Sequence, residues 1–360
     1  MKILHIINSL HTGGAEKLLI DSLPLYQQYG VNADLLLLDS TETPFLKKLK
    51  ENFQGYIFVS SVKKIYSPKQ IYEIKKIMYS KYDIIHAHLF PTLYWVSILH
   101  FFSFSKEKLV FTEHSTNNKR LQNSLLRQID KFIYKQYQKI TAITPQVKTV
   151  LVEELKISPQ KIDVIYNGVD TRKYKEAQAY NKTDFFDNGS TILLQVSRFQ
   201  EQKDQKTVIR ALKLLPVQYT LLLVGDGELR GDCESLVVEL ALSKRVKFLG
   251  VRMDVPELIK TADIVIQSSH WEGFGLTAVE GMAAGKPVIA SNVPGLSNIV
   301  SDAGLLFEKG NDYDLAEKIL SLENSELYYH TTQKCIERSR SYDIKYMVDY
   351  TINLYNSLLQ

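Results

Sequence analysis

Two carboxylates, Glu272 and Glu280, lie eight positions apart in the segment Ser268-Ser269-His270-Trp271-Glu272-Gly273-Phe274-Gly275-Leu276-Thr277-Ala278-Val279-Glu280. The apolar run before it reads as a strand, the glycines as a loop, and residues 277–284 as a helix. The amides of Phe274, Gly275 and Leu276 are therefore expected to project from a helix N-terminus, a geometry that binds phosphate or a sugar hydroxyl. Glu272 falls in the loop and Glu280 about two turns into the helix. Both can then face one cleft, one toward a transferred sugar and the other toward a ribose. The plainer reading makes Glu272 a dipole-complementing carboxylate and Glu280 a solvated helix residue. The adjoining Gly-Phe-Gly-Leu loop and the strand opening at Lys286-Pro287-Val288 favour the functional one.

A departing nucleoside diphosphate needs cations as its charge grows. Arg198 and Lys203 follow the apolar run 191–196, at the strand end where such a group would sit. Gly13-Gly14 follows the first apolar run and opens a helix at about Ala15, allowing close backbone approach to a diphosphate or an acceptor. His86 and His88 alternate along a strand and share a face as metal ligands do, but no third ligand is evident, so a cleft-lining or structural role is expected and no metal. Asp312-Tyr313-Asp314 has the form of a metal-holding Asp-x-Asp. It precedes a helical run, however, so Asp312 is expected as the helix N-cap and Asp314 as a first-turn carboxylate.

The elements that position these residues alternate throughout the chain. Apolar strands are expected at 3–7, 33–38, 55–59, 84–87, 109–112, 139–143 and 161–165, with helices such as 15–28 and 67–79 between them. A polar stretch at 172–190 reads as an interdomain connection. The rhythm resumes with strands at 191–196, 219–224, 246–249, 264–267, 287–290 and 305–307. The expected fold class is α/β with two Rossmann-like, doubly wound parallel sheets: a first domain over 1–170, a second over 171–341, and a helix over 342–360.

A chain of 360 residues, 45% apolar and 23% charged, fits two such domains. Cys233 and Cys335 stand far apart with no metal-binding spacing, which favours a reducing, cytoplasmic location. No signal peptide and no spanning segment are recognised. Residues 41–140 carry 17 Lys and Arg against 7 Asp and Glu, interleaved with Phe101, Phe102, Phe104 and tyrosines. That window reads either as a solvated charged face or as a peripheral contact with anionic lipid on the cytoplasmic face of a membrane. No nucleic-acid-binding module accompanies it.

The block around Glu272 and Glu280 resembles the E-x7-E signature of glycosyltransferase family four, retaining enzymes of GT-B fold, and the resemblance spans nearly the whole chain. His11-Thr12-Gly13-Gly14-Ala15-Glu16 is similar to the family's N-terminal loop. Val164-Ile165-Tyr166-Asn167-Gly168-Val169-Asp170 resembles its lead-in to the second domain, and Val196-Ser197-Arg198-Phe199 with Lys203 its donor-phosphate pair. Leu223-Val224-Gly225-Asp226-Gly227 and Val246-Lys247-Phe248-Leu249-Gly250 match further family segments. Two departures stand out: Lys203-Asp204 replaces the usual Lys-Gly, with Asp204 expected as a helix N-cap, and Pro294-Gly295-Leu296-Ser297-Asn298 replaces Gly-Gly-x-x-Glu.

The resemblance implies that the helix over 342–360 returns to the first domain. It also implies metal-independent transfer of a hexosyl or N-acetylhexosaminyl unit from a nucleotide diphospho-sugar, a co-substrate rather than a cofactor, with the active site in the cleft between the domains. Arg198, Lys203 and the amides of Phe274–Leu276 would hold the diphosphate and Glu280 the ribose. Glu272 and His114 would meet the sugar, Gly250 and Val251 would lie near the base, and the Gly14 loop near donor or acceptor. A lipid-linked saccharide in capsule, exopolysaccharide or lipopolysaccharide assembly is the expected acceptor. A nucleotide-sugar 2-epimerase, a phosphorylase and a non-catalytic carbohydrate-binding subunit are the alternatives on the same fold.

Overall fold

A computed structural model describes residues 1–78, 81–103, 106–115 and 119–360; Tyr79, the expected end of the second helix, and Phe104 of the aromatic window lie outside the described residues. The chain forms two compact units, one of Met1–Gly168 with Ile344–Gln360 and the other of Val169–Asp343.

In the first unit, among the described residues, β1 (Lys2–Ile7), β2 (Asn32–Leu37), β3 (Ile57–Val59), β4 (Ile84–His88), β5 (Lys108–Glu113), β6 (Lys139–Ala142) and β7 (Ile162–Val164) form a parallel sheet in the order 3-2-1-4-5-6-7. A sheet covered on both faces by crossover helices requires nearly continuous apolar strands. Ile3, Leu4, Ile6 and Ile7 of β1 are accordingly fully buried. The helix Ile344–Leu359 returns to this unit, with Val348 and Tyr355 buried in one core with Leu23, Tyr26 and Leu35. Its apolar spacing thereby finds the surface it requires.

In the second unit, β8 (Thr191–Val196), β9 (Tyr219–Val224), β10 (Val246–Gly250), β11 (Ile264–Gln267), β12 (Val288–Ser291) and β13 (Leu305–Phe307) form a parallel sheet in the order 10-9-8-11-12-13. Its order reverses beside β8 and β11, the switch point at which doubly wound sheets bind ligands.

Two expectations are corrected. Residues 172–190 do not connect the units but belong wholly to the second. There Asp170 caps the helix Thr171–Glu176, whose Tyr174 is fully buried. One aromatic anchor in a charged six-residue helix leaves no periodic signal to read. The helix Asp312–Ser321 is capped by Asn311, whose side chain accepts from the Asp314 amide at 3.0 Å, so Asp312 is its first residue rather than its cap. Asparagine and aspartate cap about equally well, which makes the choice between neighbours illegible from residue type. Asp204 does cap the helix Gln205–Leu214.

Candidate functional site

The strand ends of the second unit carry a polar scaffold. Gln195, buried in β8, donates from Nε2 to the Lys203 carbonyl at 2.8 Å and to Ser268 Oγ at 3.1 Å. The Ser268 hydroxyl is also within 3.0 Å of that carbonyl. Gln205 donates to the Arg198 carbonyl at 2.9 Å, while Gln202 Nε2 reaches the Trp271 carbonyl at 2.9 Å and its own carbonyl accepts from the His270 amide at 2.8 Å. These contacts hold the Arg198–Lys203 loop against the Glu272 loop.

Lys203 Nζ lies 2.5 Å from Glu272 Oε2, and the two side chains are only 16% and 13% exposed. Gln267 Nε2 and Ser269 Oγ donate to the same oxygen, each at 3.2 Å. Three donors on one oxygen set the carboxylate's orientation. Gln267 Oε1 meanwhile accepts from the Ala278 amide at 3.1 Å, tying β11 to the helix Leu276–Ala283. That helix starts at Leu276, one residue earlier than expected, because Gly275 precedes it with φ +100°. That conformation favours glycine, and a Cβ there would lie 2.4 Å from Leu296 Cδ2, which would have to shift. The Phe274 side chain is buried edge-on against Tyr342, leaving its backbone at the helix N-terminus, where first-turn amides lack intrahelical partners. Glu280 is 3% exposed, which removes the solvated reading of this residue. Gly295 packs its α-carbon against the Glu272 carbonyl, which a Cβ would approach to 2.3 Å. The divergent Pro294-Gly295 segment therefore backs the Glu272 loop. Gly250 closes β10, its carbonyl accepting from the Gly225 amide at 2.8 Å, and Val251 beside it is 47% exposed. Arg198 is exposed.

In the first unit, Gly13 precedes the helix Gly14–Gln28, and the Glu16 carboxylate stands in its first turn against Gly13. His114 follows β5. Its Nε2 is 3.5 Å from His88 Nδ1, and His88 Nε2 is 3.1 Å from His5 Nδ1. His5 and His86 are register partners on β1 and β4. His5 is the third imidazole that the sequence reading missed: the ring nitrogens of His5, His86 and His88 come within 4.8 Å of one another. His86 has both nitrogens engaged, by the Tyr355 hydroxyl at 2.5 Å and Thr112 Oγ1 at 2.7 Å, so as arranged the group is a hydrogen-bonded network. A cavity of about 40 Å³ lies among these rings. Burial pushes His114 down to about 4 and His5 to about 3, and holds His86 and His88 well below the usual imidazole range. All four are neutral near pH 7. Glu113 faces inward, accepting from the Tyr134 hydroxyl and the Ser115 amide, with its carboxyl pushed up by burial.

His5, Gln195, Gln205 and Gln267 were absent from the sequence reading, although a polar residue inside an apolar strand is a usable signal for the three on β1, β8 and β11.

The family described as Glycosyltransferase Family 4 matches residues 12–173, and that described as Glycosyl transferases group 1 matches residues 177–342. The chain is 36% identical over 293 residues to an uncharacterised glycosyltransferase of Methanocaldococcus jannaschii, covering 79% of this chain and 74% of the relative. It therefore belongs to the family 4 glycosyltransferases, and its two parallel-sheet units are those of the GT-B fold. It is 26% identical over 345 residues to the UDP-Gal:alpha-D-GlcNAc-diphosphoundecaprenol alpha-1,3-galactosyltransferase of Escherichia coli, covering 87% and 85% of the two chains. Among solved structures, Anabaena HepE in complex with UDP and glucose superposes with a TM-score of 0.86 at 24% identity, over 99% of this chain and all of the other.

Proposed function

We propose that the protein transfers a hexosyl or N-acetylhexosaminyl unit from a nucleoside diphosphate sugar, with retention at the anomeric carbon, to a hydroxyl of a lipid-linked saccharide in cell-surface polysaccharide assembly. The observation that carries this reading is the Lys203–Glu272 pair set beside the N-terminus of the helix Leu276–Ala283, with Glu280 buried within that helix. Arg198, Lys203 and the amides of Phe274, Gly275 and Leu276 stabilise the diphosphate as charge grows on it. The leaving phosphate itself takes the acceptor proton, so no carboxylate nucleophile is required. Glu280 binds the ribose, Gly250 and Val251 flank the base, and Glu272 holds a sugar hydroxyl through Oε1. Neutral His114 serves the sugar as a hydrogen-bonding group rather than as a cation. Glu16 in the first turn opposes a second anion at the Gly13-Gly14 loop, so Gly14 is assigned to the acceptor.

The relatives support the donor and acceptor classes: HepE is solved with UDP and glucose, and the Escherichia coli relative acts from UDP-Gal on a diphosphoundecaprenol-linked sugar. Metal independence is part of the proposal, because the helix N-terminus and two cations already supply positive potential. The Asp-x-Asp pair is engaged elsewhere: Asp312 pairs with Arg210 at 3.8 Å, and Asp314 accepts from the Glu308 amide at 2.6 Å. The test is a panel of nucleoside diphosphate sugars, read first by thermal shift and then by transfer to lipid-diphosphate-linked monosaccharides with NMR of the new linkage. An α-linked product from an α-linked donor is expected. An inverted product, or stabilisation by no nucleotide sugar, refutes the reading.

A further inference from the structure

The helix Ser124–Lys135 turns its apolar side outward. Asp130, Ile133 and Tyr134 are buried, whereas Leu125, Leu126, Ile129 and Phe132, at i, i+1, i+4 and i+7, are 69%, 37%, 38% and 45% exposed. The end of the helix Thr92–Ser103 extends the patch: Phe101 meets Phe132 edge-on with centroids 5.2 Å apart, and Phe102 is 74% exposed. Six large apolar side chains, four along one helix and two at the end of another that meets it at Phe132, exceed the scatter of single exposed hydrophobics that ordinary surfaces show.

Charge identifies what covers them. Residues 101–140 carry 8 Lys and Arg against 3 Asp and Glu. Two of the acids point inward: Asp130 is fully buried against Arg120 and Tyr94, and Glu113 is held by Tyr134. Lys106 and Lys135 are exposed and Lys131 is half-buried, while Arg127 on the helix Ser124–Lys135 is 3.4 Å from the Glu154 carboxylate. Apolar residues with cations beside them match the hydrocarbon boundary and headgroups of an anionic bilayer. The described residues contain no helix long and apolar enough to cross a membrane.

We infer that the outer face of the helix Ser124–Lys135, with Phe101 and Phe102, docks the protein on an anionic lipid bilayer. The inference rests on the proposal that the acceptor is lipid-linked, and names the surface that brings the enzyme to it. It is tested by vesicle co-sedimentation of the full chain with phosphatidylglycerol-containing and pure phosphatidylcholine vesicles, for wild type, Phe102→Ser/Leu125→Ser and Lys131→Glu/Lys135→Glu. Wild type binds the anionic vesicles and is released at high salt. Each double variant loses binding by roughly tenfold or more while keeping its thermal midpoint and its transfer to a detergent-solubilised acceptor. Unbound wild type, equal binding to both vesicle types, or undiminished binding of both variants overturns the inference. So does a dimer on gel filtration that Phe102→Ser/Leu125→Ser converts to monomer. Vesicle binding without sugar transfer strikes the functional reading alone, and transfer without vesicle binding strikes the surface alone.

Discussion

Lys203 and Arg198 are assigned to the same diphosphate, yet the fold treats them differently, and that difference is measurable. The Lys203–Glu272 contact is 2.5 Å long with side chains 16% and 13% exposed, while Arg198 is exposed. Breaking a fully buried pair by removing one partner costs about 3–5 kcal/mol, and an exposed pair contributes at most about 1. In Lys203→Met the Glu272 carboxylate keeps two neutral donors, Gln267 and Ser269, so the expected loss is intermediate, about 1–3 kcal/mol. At about 2–4 °C per kcal/mol for a unit of this size, the midpoint should fall by several degrees. Arg198→Ala should stay within about 0.5 kcal/mol of wild type. Both variants should lose roughly 10²–10³ in kcat/KM, because each removes a group aimed at developing charge. Adding Glu272→Gln to Lys203→Met removes the stranded charge, so the double variant should recover most of the stability and none of the activity. Differential scanning calorimetry and steady-state transfer kinetics read both quantities. Equal midpoint shifts for Lys203→Met and Arg198→Ala, or a double variant no more stable than Lys203→Met, would refute the reasoning.

The buried histidines make stability fall with acid. Their folded-state pKa values are depressed, to about 3 for His5 and about 4 for His114 and well below 6.5 for His86 and His88, so the unfolded chain binds protons first as pH drops below about 6.5. Stability is fully present above that value, and at about pH 5.5 each such group has removed on the order of 1.4 kcal/mol; a urea midpoint unchanged between pH 7.5 and 5.5 would contradict this. Gly275→Ala should destabilise by about 1–3 kcal/mol and raise KM for the donor, since the φ of +100° and Leu296 both oppose a Cβ, whereas Gly189→Ala, with nothing within 4 Å, should cost only its backbone strain. Transfer should persist after exhaustive EDTA treatment and in Asp312→Asn/Asp314→Asn; loss in EDTA with rescue by magnesium or manganese would end the metal-free mechanism.

The sheets were legible because parallel strands covered on both faces must be apolar throughout, and runs such as Ile3–Leu4 and Ile6–Ile7 can hardly be read otherwise. The placement of Arg198 and Lys203 after β8, of Glu272 after β11 and of Glu280 in the helix that follows was legible from type and spacing around strand ends. Partnership was not. That Lys203 grips Glu272 depends on β8 lying beside β11, which sequence proximity does not encode. His5 escaped notice for the same reason: it reaches His88 only because β1 pairs with β4, 83 positions away. The helix Ser124–Lys135 misleads in the opposite sense, since its amphipathic period is plain but its apolar side faces outward, and periodicity alone carries no information about which face is covered.

The Lys203–Glu272 pair also constrains how the site generates its potential. Within 2.5 Å of a carboxylate, Lys203 contributes a dipole rather than a full charge at longer range. The net positive potential offered to a diphosphate then comes chiefly from Arg198 and from the N-terminus of the helix Leu276–Ala283, equivalent to about half an elementary charge. On the proposed function, Lys203 gains weight only as Glu272 is drawn toward a sugar hydroxyl and the diphosphate takes over as its partner. Binding a complete donor, with both sugar and diphosphate, thus redistributes one ion pair into two contacts, while a nucleoside diphosphate alone must compete with Glu272 for the lysine. If those assignments hold, the arrangement should favour the intact donor over the spent one, which is the direction a transferase needs for product to leave. Glu272→Gln removes the competitor, so the affinity for free nucleoside diphosphate should rise as transfer falls, and a titration by calorimetry in which that affinity drops would show that Lys203 does not exchange between the two.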